Sequence, residues 1–211
     1  MNEFIAFRKI PRFNREIIIT EKIDGTNAQI LISPTNKSDP SALRSIPMLC
    51  ALGGSGNQVS LMCNVYAGSR SKWITLVNDN HGFAKWVYEH VYDLVCILGI
   101  GRFYGEWWGK GIQRGYGLEE KRFSLFNPFF EFKSDPNAFG TPLVYTVPLL
   151  AKGSKPSSSG IKLSLDILRE TGSQAAPGYM KPEGVVIYHT ASGQNFKVTY
   201  ENDEGGKNEE I

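Results

Sequence analysis

No run of about 18 consecutive apolar residues occurs in the 211-residue chain, so the sequence offers nothing that would span a bilayer as a helix. Cysteine is scarce. Cys50, Cys63 and Cys96 are odd in number, widely spaced and outside any Cys-x-x-Cys pattern, which indicates reduced thiols in a cytoplasm and no zinc site. The start carries Glu3, Arg8 and Lys9 in place of a long apolar core, so the expectation is a soluble, unexported protein with no membrane partner. A charge excess is lacking too: Lys+Arg number 23 against 21 Asp+Glu, and a net charge of +2 neither demands nor forbids a polyanionic partner. No internal repeat is visible.

What the chain does have is 41% hydrophobic residues, enough for one sizeable domain. The expected organisation is a single domain over 1–200 and a frayed acidic tail over 201–211, where Glu201, Asp203, Glu204, Glu209 and Glu210 crowd together. At the other end Arg8, Lys9, Arg12 and Arg15 cluster. These bases suit phosphates, although a solvated face accounts for such a run as well.

The β-branched run from Arg15 to Thr20 reads as a buried strand, followed at once by Glu21-Lys22-Ile23-Asp24-Gly25-Thr26-Asn27, which places a lysine where a strand breaks at a glycine. Ala28–Ile32 alternates as a second strand closed by Ser33-Pro34-Thr35-Asn36, and the two are expected to pair as a hairpin-like unit around Lys22. Residues 37–57 read as a long excursion, with pairing resuming over Gln58–Tyr66. Phe83, Trp86, Val87, His90, Val91, Leu94 and Leu98 recur at spacings of three and four, predicting one helix between Asn80 and Gly99 with His90 on its apolar face as a core residue. Further strands are expected at Gly101–Gly109 and Lys121–Asn127, a helix at Ile161–Glu170, and a second hairpin from Glu183–Tyr188 and Asn195–Tyr200.

Four charged groups interrupt apolar strands: Lys22, Glu106, Glu183 and Lys197. Such charges cost desolvation unless they converge on each other, a metal or a ligand. With Asp24 added, two lysines and three carboxylates can hold a nucleoside triphosphate with a divalent ion, carboxylates orienting metal and ribose while lysines neutralise phosphate. A nucleophilic Lys22 must shed its proton near neutral pH, which a neighbouring positive charge such as Lys197 or a metal favours. Taken alone, Lys-x-Asp-Gly is equally well a surface turn with a solvated lysine.

In ordered motifs across nearly its whole length the chain resembles the covalent nucleotidyltransferases: DNA ligases, RNA ligases and RNA capping enzymes. Lys22-Ile23-Asp24-Gly25 resembles the first motif, whose lysine takes AMP through a phosphoramide bond, with Asp24 beside it in the catalytic group and Glu21, Ile23 and Asn27 at the nucleotide. Ser69-Arg70-Ser71 resembles the arginine motif, Arg70 contacting the phosphate of the nucleic-acid end. Phe103-Tyr104-Gly105-Glu106 resembles the motif whose carboxylate binds ribose, and Phe123–Asn127 the aromatic strand in which Phe126 stacks on adenine, with Asn127 where the family usually has Asp. Glu183–Ile187 resembles the motif of the metal-binding carboxylate, to which Glu106 is added as a second metal residue. Phe196-Lys197-Val198 resembles the last motif, in which Lys197 contacts the α-phosphate, with Thr199 at the position of a usual second lysine.

Within that superfamily Glu21 before the lysine and Asn27, where DNA ligases and capping enzymes carry arginine, resemble the type 2 RNA ligase branch. The resemblance implies an α+β nucleotidyltransferase (adenylation) domain of two antiparallel β-sheets with flanking helices, the nucleotide between the sheets, and no room for an OB-fold domain after the last motif. It further implies ATP and Mg²⁺ or Mn²⁺ as cofactors, and as partner a nucleic acid with 5′-phosphate and 3′-hydroxyl ends, RNA preferred. The expected activity is ATP-dependent RNA ligation. The alternatives are a DNA-nick ligase, disfavoured by Asn27, and a catalytically weak module that binds nucleotides or nucleic-acid ends.

Overall fold

The computed structural model describes residues 4–7, 9–35, 37–51, 58–137 and 142–201. In chain order it forms β1 (Ile17–Lys22), β2 (Thr26–Thr35), β3 (Arg44–Ala51), β4 (Gln58–Ser69), β5 (Trp73–Ile74), α1 (Phe83–Glu89), α2 (Val91–Leu98), β6 (Gly101–Gly109), β7 (Lys121–Leu125), β8 (Val144–Thr146), β9 (Leu149–Gly153), α3 (Ser158–Thr171), β10 (Gly184–His189) and β11 (Gln194–Thr199). These segregate into two compact units, one of residues 1–23 with 148–211 and one of residues 24–147. No helix among the described residues is long and apolar enough to cross a membrane. The acidic stretch from 202 onward, Arg8 and Asn36 lie outside the described residues.

The first unit holds a sheet in the order β11-β10-β1-β9. Ile17 and Ile19 of β1 and Val185 and Ile187 of β10 turn to one face and bury against Leu168 of α3, with Ile161 and Leu165 alongside. Alternation along a strand therefore sends Thr20 and Lys22 to the other face. The helix begins where Ser157 Oγ accepts the Gly160 amide at 3.4 Å, an N-cap of the expected chemistry.

The second unit carries a sheet in the order β3-β4-β2-β6-β7-β8, with β5 on β4. One face, including Ile30, Ile32, Val65, Phe103, Trp107 and Phe123, is covered by Phe83, Val87, Val91, Leu94 and Leu98 of the two helices. Asp79 accepts the amides of Ala84 at 2.7 Å and Lys85 at 3.1 Å, which places a carboxylate at the positive end of α1.

Four expectations are corrected. The first two strands do not pair: β1 lies in one sheet and β2 in the other, between β4 and β6. The single helix of 80–99 is two, broken at His90 (φ −106°, ψ 19°), whose Nδ1 donates to the Trp86 carbonyl at 2.9 Å and caps α1 from its own end. The excursion of 37–57 contains β3, paired with β4 from Arg44 to Ala51, while 52–57 lie outside the described residues. The sheets are also not wholly antiparallel, because β7 and β8 run parallel.

Candidate active site

In the first unit the register β1–β10–β11 sets two rows on the face turned away from α3. Lys22, Gly184 and Thr199 lie side by side in one row, and Thr20, Val186 and Lys197 in the next. Directly opposed residues share a face, so Lys22 and Lys197 project from the same side of the sheet one row apart. Gly184, between Lys22 and Thr199, has φ +151°, and a Cβ there would meet Val198 O at 2.2 Å. Any side chain would distort the strand at the centre of this row.

Lys22 Nζ donates to Glu183 Oε2 at 2.6 Å, with both side chains largely withdrawn from solvent. Glu21 behaves oppositely. Alternation turns it to the α3 face, where it is 1% exposed. Its carboxylate accepts from Ser173 Oγ at 2.5 Å and from the amides of Gln174 at 2.8 Å and Ala175 at 3.0 Å. Burial pushes its carboxyl up from the ordinary value, against the pull of those three hydrogen bonds. The side chain expected to contact nucleotide beside Lys22 is thus committed to bracing the loop that follows α3. Ile23, expected at the nucleotide as well, is 4% exposed.

In the second unit Asn27 of β2 stands opposite Glu106 of β6, and its Nδ2 donates to Glu106 Oε2 at 3.0 Å. Glu106 is buried on the face opposite Trp107 and Phe103, away from the helical core. Ser124 lies across from it on β7 and accepts from Trp108 Nε1 at 2.9 Å. Phe126, just past the end of β7, donates its amide to Tyr104 O at 3.0 Å while the residue is 43% exposed, so it is no core phenylalanine. Asn127 Oδ1 accepts the Phe129 amide at 3.0 Å; this turn needs only an acceptor, which Asp and Asn both supply. Arg70 is exposed just beyond the end of β4.

The Asp24-Gly25 turn is gripped by the glycine-rich loop that follows β6. Arg114 Nε contacts Asp24 Oδ2 at 3.0 Å, and the Tyr116 hydroxyl accepts the Asp24 amide at 2.8 Å. Gly25 itself is obligatory: a Cβ would lie 2.6 Å from Trp107 O and 2.7 Å from Trp108 Cβ. The loop carries Gln113 at φ 45° and Tyr116 at φ 53°, a conformation that side chains adopt at a cost of order 1–3 kcal/mol each. Nothing in the sequence tied Arg114 or Tyr116 to Asp24. The run Gly109, Gly111, Gly115 and Gly117 was the available signal that this loop folds back tightly.

The model of a family described as RNA ligase matches residues 15–199. The chain belongs to the RNA ligase family. Every residue of the six motifs quoted from the sequence falls inside that match. No curated protein matches the chain. Among solved structures, Naegleria gruberi RNA ligase with PPi is similar at 14% identity and TM-score 0.48, covering 94% of this chain and 57% of that one. A point mutant of the same ligase with ATP and Mn gives 15% identity and TM-score 0.49, covering 89% and 50%. Another mutant, with AMP and Mn, gives 16% identity and TM-score 0.46 over 89% and 50%. The chain thus spans about half the length of the structures it matches.

Among the described residues no three His, Cys, Asp or Glu side chains form a group able to hold a metal. An all-protein cage is therefore not offered by them. Magnesium, however, commonly takes one or two carboxylates and completes its shell with phosphate oxygens and water. Glu183 fits that pattern, since Lys22 occupies only its Oε2.

Proposed function

We propose that this chain is the nucleotidyltransferase domain of an ATP-dependent RNA ligase, residues 1–200 carrying the adenylation chemistry. The observation that carries the reading is the Lys22–Glu183 contact at 2.6 Å on the sheet face that also bears Lys197, within a chain of the RNA ligase family.

Lys22 Nζ attacks the α-phosphorus of ATP, forming a P–N bond as the bond to pyrophosphate breaks. Glu183, already hydrogen-bonded to Nζ, is within reach to take the proton that the ammonium must lose first. AMP then passes from Lys22 to a 5′-phosphate. A 3′-hydroxyl displaces AMP to form the phosphodiester. Lys197 meets charge developing on the α-phosphoryl oxygens, and Arg70 holds the phosphate of the nucleic-acid end, so positioning and electrostatics supply most of the acceleration. Glu106, fixed by Asn27, accepts from a ribose hydroxyl, and Phe126 offers an exposed ring for adenine. Magnesium or manganese, when bound with ATP, would be held by Glu183 together with phosphate oxygens and water, and would supply charge neutralisation.

The test is incubation with α-labelled ATP and Mg²⁺, followed by a denaturing gel. A covalent label that Lys22→Ala abolishes is the expected result. An unlabelled folded protein would overturn the reading.

A further inference from the structure

Before β1 the chain carries Phe4, Phe7 and Phe13 among Lys9, Arg12 and Arg15, with no acidic residue anywhere from Phe4 to Arg15. Its described residues form neither helix nor strand. Its large apolar side chains stand in solvent: Phe4 and Phe7 are each 89% exposed and Ile10 is 76% exposed. Exposed rings with cations between them and no anions make a poor surface for water and a good one for single-stranded nucleic acid, where bases stack on rings and phosphates meet cations.

His189 ties the arm down near its junction with β1. His189 Nε2 donates to Phe13 O at 2.7 Å, and the two rings stack with centroids 6.2 Å apart. The partner orientation is fixed because His189 Nδ1 accepts the Ser192 amide at 3.2 Å. His189 pairs with Ile17, at the end of β1 remote from Lys22. Five residue steps of strand separate Ile17 from Lys22, about 17 Å at 3.4 Å per residue. An arm leaving from that end reaches nucleotides well removed from the atom that carries AMP.

We propose that Phe4, Phe7, Lys9 and Arg12 belong to an RNA-binding arm that engages the single-stranded flank of the substrate several nucleotides from the joined ends. This rests on the RNA ligase reading and adds to it a second contact, blind to sequence and selective for substrate length. Bases stack on Phe4 and Phe7, and Lys9 and Arg12 neutralise phosphates.

The experiment measures fluorescence anisotropy of 5′-phosphorylated RNA oligonucleotides of about 4 and about 16 nucleotides across a salt series, alongside labelling with α-labelled ATP. Lys9→Ala with Arg12→Ala should lower the salt slope for the long RNA by about 1.4, since each single-strand phosphate contact contributes about 0.7. Phe4→Ala and Phe7→Ala should each weaken the long RNA by about tenfold, equivalent to about 1.4 kcal/mol. The short RNA and the self-labelling should be unchanged in all of them. Unaltered slope and affinity for the long RNA would overturn the arm. So would a change of oligomeric state by light scattering with RNA affinity intact, which would make the arm a protein-docking element. Absence of labelling in the unsubstituted protein, with arm-dependent RNA binding preserved, would count against the ligase reading and leave the arm standing.

Discussion

Arg114 and Asp24 form an ion pair at 3.0 Å with both side chains about three-quarters withdrawn from water, and the same loop takes the Asp24 amide through Tyr116. One strained loop therefore sets both the carboxylate and the backbone of the turn that follows Lys22. Arg114→Ala should cost about 1 kcal/mol of stability, as expected for a partly exposed pair, yet slow self-adenylylation at least tenfold by releasing Asp24. Arg114→Lys should recover part of that rate. Melting curves and single-turnover labelling measure the two effects, and full labelling by Arg114→Ala would remove the loop from the chemistry.

Lys22→Ala should abolish covalent labelling with the fold intact, because removing a strand-end lysine from a partly exposed pair affects stability little. The same variant should still seal a strand whose 5′ end is already adenylylated, since the lysine has then done its part. Circular dichroism and a sealing assay on pre-adenylylated RNA check this. Label retained on Lys22→Ala would reassign the nucleophile.

Phe126→Ala should weaken ATP binding by about 1–3 kcal/mol through lost stacking. A core phenylalanine would instead cost about 3–5 kcal/mol of stability on truncation. With 43% of the residue exposed, the melting temperature should change by only a few degrees. Calorimetric titration of ATP against the folded variant is the measurement.

The hairpin β10–β11 and the strands β6 and β7 were visible in the sequence because each is an uninterrupted apolar or aromatic run bounded by turn residues. Pairing between strands was not. Nothing in Ile17–Thr20 or Ala28–Ile32 says that adjacent strands enter different sheets, since that choice is settled by distant partners such as Val186 and Trp107. Strand β3 was hidden by Pro47, which is tolerated because β3 is an edge strand, and Pro34 sits in β2 beyond the point where pairing with β6 stops at Ile32. Lys22, Glu106, Glu183 and Lys197 stood out in the sequence as charges interrupting apolar strands, but the face of the sheet that each residue takes did not. Glu21 and Lys22 are neighbours in sequence and face opposite ways.

That opposition gives a pH prediction. Burial raises the Glu21 carboxyl above its ordinary 4.5, so between 4.5 and the raised value the folded chain binds more protons at this residue than the unfolded chain. The contribution of Glu21 to stability is therefore fully present below 4.5 and declines as pH rises through the raised value. Glu21→Gln keeps an acceptor for the amides of Gln174 and Ala175 and removes the titration. Urea unfolding of both proteins from pH 4.5 to 8 should show the difference between them shifting in favour of Glu21→Gln as pH rises. A constant difference would mean that the carboxyl does not titrate in that window.

Thr199 shares a row with Gly184 and Lys22, the position at which the resembled family carries a second lysine. Its hydroxyl is engaged with Glu201 O at 2.7 Å, so it offers the phosphates no charge. A single charge-stabilising contact at a developing oxyanion is worth about 2.7–4 kcal/mol of barrier, and the remaining lysine of the strand must carry that load. Lys197→Ala should accordingly be as damaging to self-adenylylation as Lys22→Ala. Thr199→Lys should leave the rate unchanged or raise it, because the strand is only partly buried there and its face already bears Lys22 and Lys197. Rates of labelling with α-labelled ATP decide both. Near-normal labelling by Lys197→Ala would mean that β11 is not the phosphate-binding strand, and that the cation facing the α-phosphate stands elsewhere, with Arg114 next to be tested.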